Sequence, residues 1–232
     1  MFEFMKAYPY LCTNTISIAF LLVVGWLVLT RAQWKTMVLC GLANVPCFVF
    51  LVLLENEYWS PVRLGGLALG IEDILCSFAV AAMGWFVIGL FFADRILLLV
   101  RRKILLLRYA ILATLSGITF LLLSCLMNLS GMTALILTCL VMAAAMFLSR
   151  KSLWPVVLVS LVGFPILYLG IVKVYFLIWP EFVQEWNSTT LWGQTVLGIP
   201  LGEITWSVLF SIYWPLFVMF VTDGQCEGHV RA

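Results

Sequence analysis

Leu69-Gly70-Ile71-Glu72-Asp73-Ile74 and Leu197-Gly198-Ile199-Pro200-Leu201-Gly202-Glu203-Ile204 each open a long apolar run. In both, an acid is followed by Ile and, four residues on, by Ser: Asp73 with Ser77, Glu203 with Ser207. Carrying a carboxyl group into a bilayer is expensive. An acid that recurs at the mouth of two such runs therefore marks both an internal repeat and a functional position.

Working outward, 64% of the 232 residues are hydrophobic and only 10% are charged. A spanning helix needs roughly 20 mostly apolar residues. Runs of that kind cover about 13–30, 36–54, 69–92, 105–127, 131–149, 154–178 and 197–221. The composition predicts an all-α integral membrane protein with seven transmembrane helices and little chain left for a soluble domain. The first run reads as a retained helix, because Gly25 to Thr30 carries no small-residue cleavage site. Localisation is multi-pass and integral, in the cell membrane if the host is prokaryotic.

Charge distribution predicts the orientation. Arg31, Lys35, Arg95, Arg101, Arg102, Lys103, Arg108, Arg150 and Lys151 fall in or beside alternate links. The opposite links carry Glu55, Glu57, Glu181 and Glu185, with Arg63 as the nearby cation. The positive-inside rule then sets the N-terminus outside and the C-terminus in the cytosol.

Several chemistries lose support at this level. The seven cysteines are scattered through apolar runs without a CxxC pair, and the single histidine, His229, is in the tail. No metal site and no disulfide framework is expected. No glycine-rich phosphate loop follows a strand, so no nucleotide or flavin cofactor is expected. No basic stripe suits nucleic acid. The sequons at Asn128 and Asn187 (with Ser188-Thr189) fall on the expected outer side.

The repeat extends beyond the acids. Arg31 matches Arg150, Trp34 lies within one residue of the equivalent of Trp154, and Pro46 matches Pro165. Aromatic outer links follow: Trp59-Ser60-Pro61 in one copy, Trp179-Pro180-Glu181 with Trp186 and Trp192 in the other. Both copies start on the same side. The chain therefore divides into a first three-helix repeat over 1–103, a linker helix over 104–130 and a second repeat over 131–232, a parallel 3+1+3 arrangement.

Glu72, Asp73 and Glu203 are the candidate catalytic residues. Acids in a first turn also complement the helix dipole, and Pro200 suits a first helical position, so capping is the competing role. One face of the last run carries Trp206, Ser207, Phe210, Ser211 and Trp214; the equivalent face after Asp73 carries Cys76, Ser77, Val80, Ala81 and Gly84. Large residues against small ones flank a slender apolar ligand, or pack as ordinary neighbouring helices. Ser77, Trp206, Ser207, Phe210 and Trp214 are the candidate substrate-binding residues. A carboxyl group desolvated in an apolar cavity can serve as a general acid toward a carbon–carbon double bond, and aromatic faces stabilise the resulting cation without attacking it.

At these residues the chain resembles the lycopene cyclase domain family, membrane-embedded carotenoid cyclases of bacteria, archaea and fungi. That family's motif is Pro-x-Glu-Glu ahead of an aromatic-rich helix, in two copies. The first copy here reads Gly70-Ile71-Glu72-Asp73, with Gly for Pro and Asp for the second Glu. The second reads Pro200-Leu201-Gly202-Glu203, with Gly for the first Glu. The link Trp59-Ser60-Pro61-Val62-Arg63-Leu64-Gly65 is also similar. The resemblance implies cofactor-independent protonation and ring closure at an end of a linear carotenoid such as lycopene. Glu72 and Asp73 would form the acid side, with Glu203 as the second carboxylate. It implies a long apolar polyene or polyprenyl substrate drawn from the bilayer, contact with membrane lipid, and a homo-oligomer or a complex with other carotenoid enzymes as assembly options. Two other functions fit the same residues: a small proton-coupled transporter, and a non-catalytic subunit of a carotenoid biosynthetic complex.

Overall fold

A computed structural model of the chain describes residues 2–55, 57–92, 95–98, 102–187 and 193–226. Arg101, Ser188, Thr189, Trp192 and His229 lie outside the described residues. Among those described, seven helices are long and apolar enough to cross a membrane: Pro9–Val28, Arg31–Leu53, Ile71–Phe92, Ile104–Leu126, Gly131–Ser149, Lys151–Ile178 and Leu201–Val221. The chain is thus an all-α protein of multi-pass membrane character.

In chain order the helices are α1 (Phe2–Ala7), α2 (Pro9–Val28), α3 (Arg31–Asn44), α4 (Ile71–Phe92), α5 (Arg102–Leu121), α6 (Gly131–Ser149), α7 (Trp154–Ile178) and α8 (Leu201–Val221). Helix α4 packs on α2, α3 and α7, while α8 packs on α6 and α7. Helix α4 therefore sits at the centre, with 67% of its most apolar stretch buried, against 6% for the span containing α5. The reason is side-chain size. Ala79, Ala81, Ala82 and Gly84 let neighbours approach α4 closely. A Cβ on Gly84 would come within 3.3 Å of Trp214 Cδ1, and one on Gly41 within 2.6 Å of Phe78 Cε2. Polar clamps fix the α3–α4 pair. Trp85 Nε1 donates to Gln33 Oε1 at 3.1 Å, and Asn44 Nδ2 donates to the Ser77 carbonyl at 2.9 Å.

The matched prolines act differently. Pro46 starts a nine-residue 3₁₀ segment, Val45–Leu53, that completes the second span. Proline cannot donate to the Leu42 carbonyl, and the Val45 N–H takes that carbonyl instead in a tighter i→i−3 bond. Pro165 lies inside the continuous helix α7. Arg31 begins α3, whereas Arg150 caps the end of α6 and donates to the Met219 and Gly224 carbonyls of the last span and its tail.

Short antiparallel pairings join the ends of the bundle. The link before α4 meets the link before α8 through a Trp59–Trp186 bridge, with Ser60 N donating to Glu185 O and Asn187 N to Tyr58 O, each at 2.8 Å. At the other end β1 (Ile96–Leu97), after α4, pairs with the segment Gln225–Cys226 after α8. A hairpin of β2 (Thr195–Val196) and β3 (Ile199–Pro200) leads into α8; the Gln225–Cys226 segment is β4. Leu197 and Gly198 both take positive φ, 55° and 77°, as a two-residue hairpin turn requires. Lys173 Nζ secures that turn by donating to the Leu197 carbonyl at 2.6 Å.

Candidate functional site

Asp73 and Glu203 occupy the same place, the third residue of a buried helix start, yet their surroundings differ. Before α4 stands Gly70, whose N–H donates to Asp73 Oδ2 at 2.7 Å, so this carboxylate closes its own helix terminus. Arg63 adds two bonds, Nε to Oδ2 at 2.7 Å and Nη2 to Oδ1 at 3.2 Å, and the Tyr10 hydroxyl donates to Oδ1 at 3.2 Å. Arg63 also reaches Glu55 at 2.9 Å, and its side chain is only 2% exposed. Burial pulls the Arg63 guanidinium down, but the adjoining Asp73 and Glu55 carboxylates outweigh it and raise it overall. Asp73 is thus one half of a buried, fully hydrogen-bonded ion pair.

Glu72 is also fully buried. Its Oε1 accepts the Leu64 N–H at 2.7 Å, while Oε2 has no hydrogen-bond partner. A Cβ on residue 70 would collide with that Oε2. The Glu72 side chain folds back over residue 70, where glycine leaves room for it in this position.

In the second copy residue 202 is glycine, and α8 begins at Leu201 with Pro200 as the capping residue in β3. The sequence had suggested Pro200 as the first helical residue; its hairpin partner Thr195 holds it extended instead. Proline has no N–H, so Glu203 has no backbone donor of the kind Gly70 offers Asp73. Its carboxylate is taken up by aromatic side chains: Tyr58 Oη donates to Oε2 at 3.0 Å, Trp186 Nε1 to Oε2 at 2.9 Å, and Tyr168 Oη to Oε1. None of the ion pairs among the described residues includes Glu203. Burial and the Glu203 charge push the Tyr58 hydroxyl far above its ordinary value, which keeps it a donor.

A cavity of about 230 Å³ opens below Glu203. Glu203, Tyr58, Tyr168 and Trp186 line one end. Beneath them Trp206, Phe210, Trp214 and Phe217 descend α8 as a ladder of near-parallel rings, at 5.0, 6.1 and 5.3 Å between centroids. Opposite lie Cys76, Ser77, Val80 and Met83 of α4. Of the residues singled out in the sequence, Glu203, Ser77, Trp206, Phe210 and Trp214 meet in this space. Glu72, Asp73 and Ser207 do not line it; Ser207 is buried, with its hydroxyl donating to the Ile204 carbonyl at 2.8 Å. Cys76 and Tyr10, the latter bonded to Asp73, both line the cavity.

Sequence reasoning missed Tyr10, Tyr58 and Tyr168. Tyr58 stands beside the aromatic link, which was a usable signal; Tyr168 sits in an unbroken apolar helix and gave none. Searches against protein-family models, curated proteins and solved structures found no match to this chain.

Proposed function

We propose that this chain is a cofactor-independent membrane terpenoid cyclase that closes a ring at the end of a linear, lycopene-like polyene. The carrying observation is a buried carboxyl group, Glu203, that has no cationic partner among the described residues and stands at the head of an apolar cavity walled by stacked aromatic rings. The family resemblance at both acidic motifs supports the same reading. So does the pairing of corresponding links at each end of the bundle, which suits two parallel three-helix repeats about a linker helix, N-terminus outside and C-terminus in the cytosol.

In this mechanism the Glu203 carboxyl O–H gives its proton to the terminal carbon–carbon double bond. A C–H bond forms, the π bond breaks, and a tertiary cation results. A neighbouring double bond attacks that cation to close the ring. The displaced cation then loses a proton to the Glu203 carboxylate, restoring a double bond and the acid, so the product is an isomer of the substrate. Tyr58 and Tyr168 hydroxyls both donate and accept, so one cage holds Glu203 in either protonation state. The faces of Trp206, Phe210 and Trp214 stabilise the passing cation without forming a bond to it. Glu72 and Asp73 here act as the rigid frame of the site, a different division of labour from the acid side expected of them in the sequence. The hydrocarbon character of the cavity favours this chemistry over transport of a hydrophilic solute.

Expression in a lycopene-accumulating host tests the proposal. Cyclised product, identified by pigment chromatography, is expected from the parent chain and absent with Glu203→Gln, while the variant still accumulates in membranes. Undiminished product from Glu203→Gln overturns it.

A further inference from the structure

We infer that the cavity holds one end group of its ligand at a time, and that the rest of the polyene leaves sideways into the bilayer through a seam between the 3₁₀ half of the second span and helix α5. This rests on the cyclase reading for the ligand's identity, but not for the seam itself.

Size comes first. An apolar cavity of about 150 Å³ takes one benzene, so about 230 Å³ takes about nine carbons. That is one cyclisable terminus, and a whole carotenoid is several times larger. The remaining chain is apolar and needs an apolar exit, which a membrane protein can offer only through its side.

One wall meets that need. Cys47, Phe50 and Leu51 line the cavity, yet no residue of their 3₁₀ segment is fully buried. The same side chains that line the cavity are thus partly exposed on the segment's outer side. Across from it, Ser116, Gly117 and Phe120 of α5 line the same cavity, on the span with the least buried surface of the seven. Phe50 meets Phe120 edge-on across the seam, with 5.4 Å between ring centroids. Below it Gly117 presents no side chain, and a Cβ there would meet Phe50 Cζ at 3.5 Å, an ordinary contact. A larger group would fill the gap.

The backbone on both sides is irregular. A nine-residue 3₁₀ run is unusually long, and α5 continues after Leu121 into a π-type turn, Leu122–Leu126, with Met127 N bonded to the Leu122 carbonyl at 3.2 Å. Both forms mark places where helices yield. Further down, the Tyr109 hydroxyl holds the Ala43 carbonyl at 2.6 Å and pins the base of the seam.

The test uses Gly117→Phe, with Ile118→Phe as the control that places the same ring one residue on, where the side chain is 48% exposed and off the cavity lining. In the lycopene host, Gly117→Phe is expected to lower conversion about ten-fold or more at equal membrane accumulation, and Ile118→Phe to stay within about two-fold. A second readout is independent of catalysis. Purified protein is titrated with parinaric acid, a conjugated polyene fatty acid, and energy transfer from the cavity tryptophans is followed. Saturable transfer in the parent that is lost in Gly117→Phe supports the seam even if the parent forms no cyclic product, in which case the cyclase reading alone falls. Conversion or saturable transfer in Gly117→Phe equal to the parent overturns the inference. So does Ile118→Phe conversion as low as that of Gly117→Phe.

Discussion

Asp73 and Glu203 hold the same position in two corresponding helix starts, and one small difference sends them to different work. The residue before α4 is glycine and lends its N–H to Asp73; the residue before α8 is proline and has none to lend. Asp73 is drawn into helix capping and an ion pair with Arg63, outside the cavity lining. Glu203 is held by two tyrosines and a tryptophan and faces the cavity. Duplicated motifs thus need not be duplicated sites. The backbone donor beside an acid decides whether that acid is bound to its own helix start or to distant side chains.

The sharpest way to break this comparison is to exchange the fates of the two acids. Glu203→Gln keeps shape and hydrogen-bonding capacity but removes the exchangeable acid, and product should fall by about 10²-fold or more with little change in stability. Asp73→Asn should do the reverse. Arg63 keeps Glu55 but loses its buried charged partner, which costs about 1–3 kcal/mol, read as loss of folded protein in a thermal or detergent unfolding assay.

A smaller effect tests the steric coupling within the first copy. Gly70→Ala should destabilise the chain, because the added Cβ meets Glu72 Oε2. Gly70→Ala combined with Glu72→Gly removes the colliding carboxylate. The double-mutant cycle is expected to show a favourable coupling of about 1 kcal/mol, and strict additivity would refute the steric link.

A pH-dependent effect lies at the outer link. Burial pushes the Glu185 carboxyl up from about 4.5 to about 8, against a backbone hydrogen bond from Val62 and the charge of Arg63, both of which lower it. The folded chain therefore keeps this proton to higher pH than the unfolded chain does. Glu185 takes stability away as pH rises from about 4.5 to about 8, and the loss is complete above that range. Glu185→Gln should flatten the fall in unfolding midpoint across this window. An unchanged slope would mean that another group sets it.

Much of the fold was legible because hydrocarbon length is a one-dimensional property. All seven apolar runs became helices at nearly the expected positions, with ends moved by the Thr30 cap, the Pro46 3₁₀ segment and the hairpin before Leu201. The acidic motifs were legible too, because charge at the mouth of an apolar run stands out. Their division of labour was not. It depends on Tyr58, 145 residues before Glu203, on Tyr168, 35 before it, and on Trp186 reaching in from an outer link.

The sequence by itself determined that the chain is helical, membrane-spanning and marked by two acidic helix starts. Patterning and the cost of buried charge act along the chain. Only the tertiary structure decided that Glu203 faces the aromatic cavity while Asp73 is tied to Arg63. Hydrogen-bond donors are chosen by distance in space, and no local pattern encodes which distant side chains arrive.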